Sequence, residues 1–126
     1  MTNYDLEEAK LLRWQFGLSL LFIFTIIVSL TLTYNEILIH EKKKPLYTEQ
    51  TADDILKLNR TLSVLLALGF LYINYIDKGI KEEHNLDLKT ANLQIDAGAL
   101  NLLATIIVLY VAFMSDGTTA LENPQS

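Results

Sequence analysis

A chain of 126 residues with 51% hydrophobic side chains and no cysteine is the size of one domain, and it excludes a disulfide framework, a thiolate nucleophile and a Cys-ligated metal. Fifteen acidic residues against 10 basic ones leave a net charge of -5, which disfavours a general attraction to nucleic acid or to an anionic lipid surface. Polar residues are gathered into a few segments and almost missing from three others.

The first segment opens with Asp5, Glu7 and Glu8, acids suited to the positive end of a helix dipole, and Thr2 or Asn3 can cap a helix starting near residue 4. From Trp14 to Asn35 no side chain carries a charge. As a helix this run reaches about 33 Å, enough for a hydrocarbon core of about 30 Å. A water-soluble helix would need polar residues along one whole face, whereas this run offers mainly Gln15, Ser19, Thr25, Ser29, Thr31 and Thr33. Hydroxyls of that kind bond back to carbonyls of their own helix, which suits lipid as well as water. The apolar run exceeds the ~7–15 residues of a signal peptide, and no small-x-small site follows in TYNEILIH, so retention of the segment is expected.

The connection after it holds Lys42, Lys43 and Lys44, a basic run diluted by Glu41 and Glu49, and breaks at Pro45. Thr51, with Asp54 three residues on, reads as the cap of a second helix. Its uncharged run, Thr61 to Ile76, reaches only about 24 Å, so crossing requires Arg60 and Asp77 or Lys78 at the head-group level. Gly79 and Asn85 to Asp87 mark a turn, and Asp87 is placed to cap a third helix over about residues 88–114. The third uncharged run, Ala97 to Ser115, reaches about 28 Å. Together these segments predict an all-α integral membrane protein. Its single domain over 1–116 has spans at about 14–35, 58–77 and 96–115, the last two forming an antiparallel hairpin, and residues 117–126 make a polar tail.

Three crossings put Lys10, Arg13, Lys78, Lys81 and Lys89 on one side and Lys42, Lys43, Lys44, Lys57 and Arg60 on the other. Five against five leaves the orientation undecided by the positive-inside bias.

Polar groups inside a span are costly unless partnered, which makes them functional candidates. Ser63, Ala67, Phe70, Asn74 and Asp77 share one face of the second helix; Ala97, Asn101, Ala104 and Val108 share one face of the third. Asn74 and Asn101 are expected at similar depth, bonded across the hairpin, with Gly69, Ala97, Gly98 and Ala104 permitting close approach. Such a bond contributes roughly 0.6 kcal/mol on average. A sharper alternative has Asn74, Asp77, Asp96 and Asn101 lining a polar pocket for an ion or a lipid head group. Thr25, Ser29 and Thr33 form a packing seam on the first helix. Trp14, Tyr34, Tyr72, Tyr75 and Tyr110 read as interface anchors. His40 and His84 lie in charged connections without a second histidine at ligand spacing, so no metal is expected. Nucleotide-binding and hydrolase motifs are missing, and no cofactor is expected.

The layout of a short leading helix and three spans resembles the small bacterial diacylglycerol and undecaprenol kinases. Asn74, His84 and the run Asp96-Ala97-Gly98-Ala99-Leu100 carry the likeness over some 30 residues. The resemblance implies a three-span lipid kinase using metal-ATP. Yet Leu71 and Lys78 occupy positions where that family has carboxylates, and Asn92-Leu93-Gln94 replaces its Ala-Lys-Asp element, so the likeness is one of architecture. Phage holins have a similar size and span number but end in a basic tail, and SDGTTALENPQS has no Lys or Arg. The expectation is a non-enzymatic accessory or assembly subunit in a bacterial cytoplasmic membrane. Its partners would be the bilayer and other membrane proteins or its own copies, and not nucleic acid. The alternatives are a self-assembling pore and a lipid-kinase-like enzyme.

Overall fold

The computed structural model describes residues 2–114, so Ser115 and the expected tail at 117–126 lie outside the described residues. Three helices account for most of it: α1 (Asn3–His40), α2 (Glu49–Glu83) and α3 (Lys89–Met114). All three are long and apolar enough to cross a membrane.

Local chemistry explains most of the helix ends. The Thr2 hydroxyl accepts from the Asp5 N–H at 3.1 Å while the Thr2 N–H donates to the Asp5 carboxylate at 3.3 Å, a reciprocal cap for α1. At the other end Lys42 turns left-handed (φ 58°), and the Lys42 and Lys43 N–H groups donate to the Ile39 and Leu38 carbonyls. Asn85 (φ 57°) closes α2 in the same way, with Asn85 and Leu86 donating to Glu82 and Lys81. Both helices thus satisfy their last carbonyls before the chain turns away.

Thr48, and not Thr51, caps α2, accepting from the Thr51 N–H at 3.1 Å. The reason is a tether: the Tyr47 N–H donates to Asn35 Oδ1 at 2.9 Å and the Tyr47 hydroxyl donates to Thr31 Oγ1 at 3.2 Å. That anchorage sets where the chain re-enters a helix, and Asp54 is left to accept from Gln50 at 2.9 Å. For α3, Asp87 Oδ1 accepts from the Lys89 N–H at 3.1 Å, and the helix begins at Lys89.

Ala52, Asn59, Leu66, Ile73 and Ile80, all buried, recur every seven residues along α2, which is the stripe a helix needs to serve as a central packing surface. α2 packs against both other helices, whereas α1 and α3 nowhere approach each other closely through their backbones among the described residues. Leu32, Ala52, Leu56 and Ala112 form one buried cluster; Leu11, Ile73 and Ile80 form another. The outward faces stay apolar, with Phe22, Phe24, Ile27, Leu103 and Ile107 all exposed.

Paired contacts also settle which residues lie level. Leu18 meets Gly69, and Asn59 meets Thr25 and Ser29. On the other side Leu71 meets Gly98, and Lys57 meets Phe113. The uncharged runs of α1 and α3 therefore flank roughly residues 52–72 of α2. Its own uncharged run, 61–76, stops about nine residues short of their lower limit, or about 13 Å. Lys57 and Arg60 fall inside the flanked stretch.

Candidate functional site

The polar groups that the fold gathers lie along α2. Nearest the middle is Asn59, 5% exposed, whose Nδ2 donates to the Thr25 carbonyl at 3.2 Å and to Ser29 Oγ at 3.1 Å. Thr25 Oγ1 in turn donates to the Phe22 carbonyl at 2.7 Å. Thr25 and Ser29 thus meet α2, while Thr33 is exposed and it is Thr31 that reaches Tyr47. Replacing Asn59 by leucine should remove both inter-helical bonds and weaken the α1–α2 contact by about 1 kcal/mol. Energy transfer between dyes on α1 and α2 during detergent titration would measure this, and an unchanged midpoint would contradict it.

Asn74 Nδ2 donates to the Gln94 carbonyl at 3.3 Å. Gly98 is the close approach: a Cβ there would lie 3.1 Å from Leu71 Cδ1 and 3.4 Å from Asn74 Nδ2. Asn101 sits a turn further along α3. It lines a cleft of about 380 Å³ with Arg60, Ser63, Phe70, Ala104 and Thr105, so Asn74 and Asn101 belong to different places. The cleft is closed on the α1 side by Phe22. Asp96 is exposed and lines neither this cleft nor the one around Asp77.

Asp77 belongs to a second cleft, of about 500 Å³, lined also by Tyr4, Glu8, Gln15, Asn74 and Lys81. Its carboxylate meets Lys81 Nζ at 2.9 Å. Burial, reinforced by hydrogen bonding to Asp77, raises the Glu8 carboxyl above its ordinary value, although the Tyr4 hydroxyl opposes this. The bond to Asp77 raises Lys81 above its ordinary value, against the lowering by burial. Because Glu8 holds its proton more tightly folded than unfolded, its contribution is complete below the unfolded value and lost as pH rises through the folded one. Amide exchange in the first three turns of α1 should therefore quicken as pH climbs above 4.5, beyond the intrinsic base-catalysed trend, and Glu8→Gln should flatten that excess. The same excess in both proteins would contradict the assignment.

Beside this cleft the fold brings Glu7 of α1 to Glu83 and His84 at the end of α2, with one donor atom from each within 4.8 Å of the others. His84 Nε2 lies 3.4 Å from Glu7 Oε2, and the Tyr4 ring stands edge-on to the imidazole at 5.2 Å. One nitrogen and two oxygens could hold a divalent ion, and the approach of Glu7 to His84 brings the start of α1 to the end of α2. Sequence reading missed the set because Glu7 is far away in the chain.

Lower on α2, Lys57 Nζ meets Asp53 at 2.8 Å and lies 5.5 Å from the centre of the Phe113 ring. One turn up, Arg60 faces the first cleft. It has no ion pair among the described residues, and its buried Nε has no hydrogen-bond partner there. Since Asn59 bonds to Thr25, midway along the uncharged run of α1, Arg60 lies level with the middle of the apolar belt.

Fold and site define an all-helical chain with three potential spans around a polar α2. No protein-family model, no curated protein and no solved structure matches it.

Proposed function

We propose that this chain is a multi-pass membrane protein in which α2 and α3 form an antiparallel hairpin against α1, and that it serves as a non-enzymatic accessory or assembly subunit of a larger membrane complex. The observation that carries the reading is the groove over α2. The backbones of α1 and α3 make no close approach among the described residues, a cleft lined by both helices lies over α2, and large apolar side chains cover the outward faces of the uncharged runs. Lipid solvates such faces, and the groove has the shape to receive another helix. Three observations favour this over the alternatives. Thr25 and Ser29 are engaged with Asn59, which takes them from any water-lined pore. Leu71 and Lys78 supply no metal-binding carboxylates, and Asp96 stands apart from Asp77.

The register of the helices also bears on the proposed orientation. With Lys57 and Arg60 counted inside the belt, the basic residues stand at five, on the side of the N-terminus and the α2–α3 connection, against Lys42, Lys43 and Lys44 on the other. By the positive-inside bias, that count supports an orientation with the N-terminus on the cytoplasmic side.

Extraction of tagged chain from its native membrane in mild detergent tests the function. Stoichiometric membrane partners are the expected result, and a homogeneous homo-oligomer without them would contradict it.

A further inference from the structure

We infer that Arg60 is a docking point for the carboxylate of a transmembrane helix from a different protein, seated in the groove between α1 and α3. The inference rests on the membrane reading above and names the chemistry of the partner. A guanidinium is never neutralised by losing its proton in a protein, so in an apolar belt it demands an anion or a set of acceptors. The chain's described residues give it no ion pair, and Nε is buried and unbonded. The cleft it faces is otherwise apolar, with Phe22, Phe70 and Ala104, and has a few small polar groups in Ser63, Asn101 and Thr105. That combination suits one acidic side chain on an apolar helix: the wall takes the helix and the fork of the guanidinium takes the carboxylate in a two-pronged bond.

Level decides between the sources of the anion. A lipid phosphate lies at the head-group layer, roughly 15 Å from the middle of a ~30 Å core, about twice the reach of an arginine side chain. A second copy of this chain has no suitable acid. The runs at 14–35 and 97–114 contain none, Asp53 is held by Lys57, and Asp54 accepts from Gln50. The carboxylate therefore comes from another chain, near the middle of its own span.

The test uses the full chain reconstituted in phosphatidylcholine vesicles and a synthetic leucine-rich single-span helix carrying one central glutamate, with its central-glutamine twin as control, followed by energy transfer at pH 8. At least tenfold tighter association of the glutamate helix is expected. The preference should vanish with Arg60→Met and persist in part with Arg60→Lys, while unchanged affinity for the glutamine helix shows that the variants remain folded. Equal affinity of the parent for both helices would overturn the inference, as would a preference that survives Arg60→Met. Displacement of the glutamate helix by added phosphatidylglycerol would assign Arg60 to lipid, and its exclusion by a cross-linkable dimer would assign the groove to a second copy; either overturns it too. A chain that does not float with the vesicles at all defeats the membrane reading itself, whereas one that floats and treats both helices alike defeats only the carboxylate.

Discussion

Phe24→Asp should weaken integration of the chain into a membrane. Phe24 is 55% exposed on α1, near the middle of the uncharged run. An aspartate at the centre of a span costs about 3 kcal/mol and the lost phenylalanine a few tenths more, a reduction of more than a hundredfold in the equilibrium constant for insertion of that helix. Adding Ile27→Asp, on a second exposed residue one turn away, roughly doubles the cost. The sign of the effect is what makes the variant informative. Were the same face wetted, an exposed phenylalanine exchanged for aspartate would raise solubility and leave the fold alone. The carbonate-resistant fraction after translation into membranes is the measurement. Leu46→Asp, in the connection between α1 and α2, serves as the control that should insert like the parent.

A second large effect is expected at Leu56. Only 1% exposed, this side chain is the large buried α2 member of the cluster that also holds Leu32 of α1 and Ala112 of α3. Leu56→Ala leaves a cavity where three helices meet. In water-soluble cores such truncations cost about 2–5 kcal/mol. On the proposed membrane reading the separated helices would still be solvated by acyl chains, so the transfer part largely drops out and the lost dispersion contacts set a cost of about 2 kcal/mol. Leu58→Ala, two residues away and 73% exposed, should cost less than about 0.5 kcal/mol. Detergent-titration midpoints followed by energy transfer between α1 and α3 would compare the two. Equal midpoints would mean that α2 is not the central packing surface.

What the sequence revealed and what it concealed follow from the range of the interactions involved. The three apolar runs are local features, and so are the caps at Thr2 and Asp87, where side chain and backbone lie within three residues of each other. The start of α2 was misplaced because Tyr47 is held by Asn35, a contact between two helices that no local spacing announces. The same holds for Arg60. Read along the chain it flanks an uncharged run and looks like an anchor at a span's end. Only the bonds from Asn59 to Thr25 and Ser29 reveal it to be level with the middle of α1. Asn59 itself was legible in principle, since it continues the seven-residue stripe of Ala52, Leu66, Ile73 and Ile80. Asn74 and Asp77 are half-buried, whereas Asn101, expected on an inward face, is exposed at the rim of its cleft. Asn74 and Asp77 do share a cleft, but Asn74 bonds to Gln94 while Asn101, a turn beyond Gly98, lines the other cleft, and that register between α2 and α3 is not announced by local spacing.

The absence of cysteine from the chain allows a direct test of whether lipid solvates these helices. Single cysteines placed at Leu20, Ile23, Ile27 and Leu30 of α1, and at Leu103 and Ile107 of α3, all exposed positions, would be challenged with a water-soluble maleimide in sealed vesicles. Protection at all six until detergent and denaturant are added, with ready labelling of a cysteine at Leu46, is the predicted result. Rapid labelling of the six in intact vesicles would contradict the account at its root.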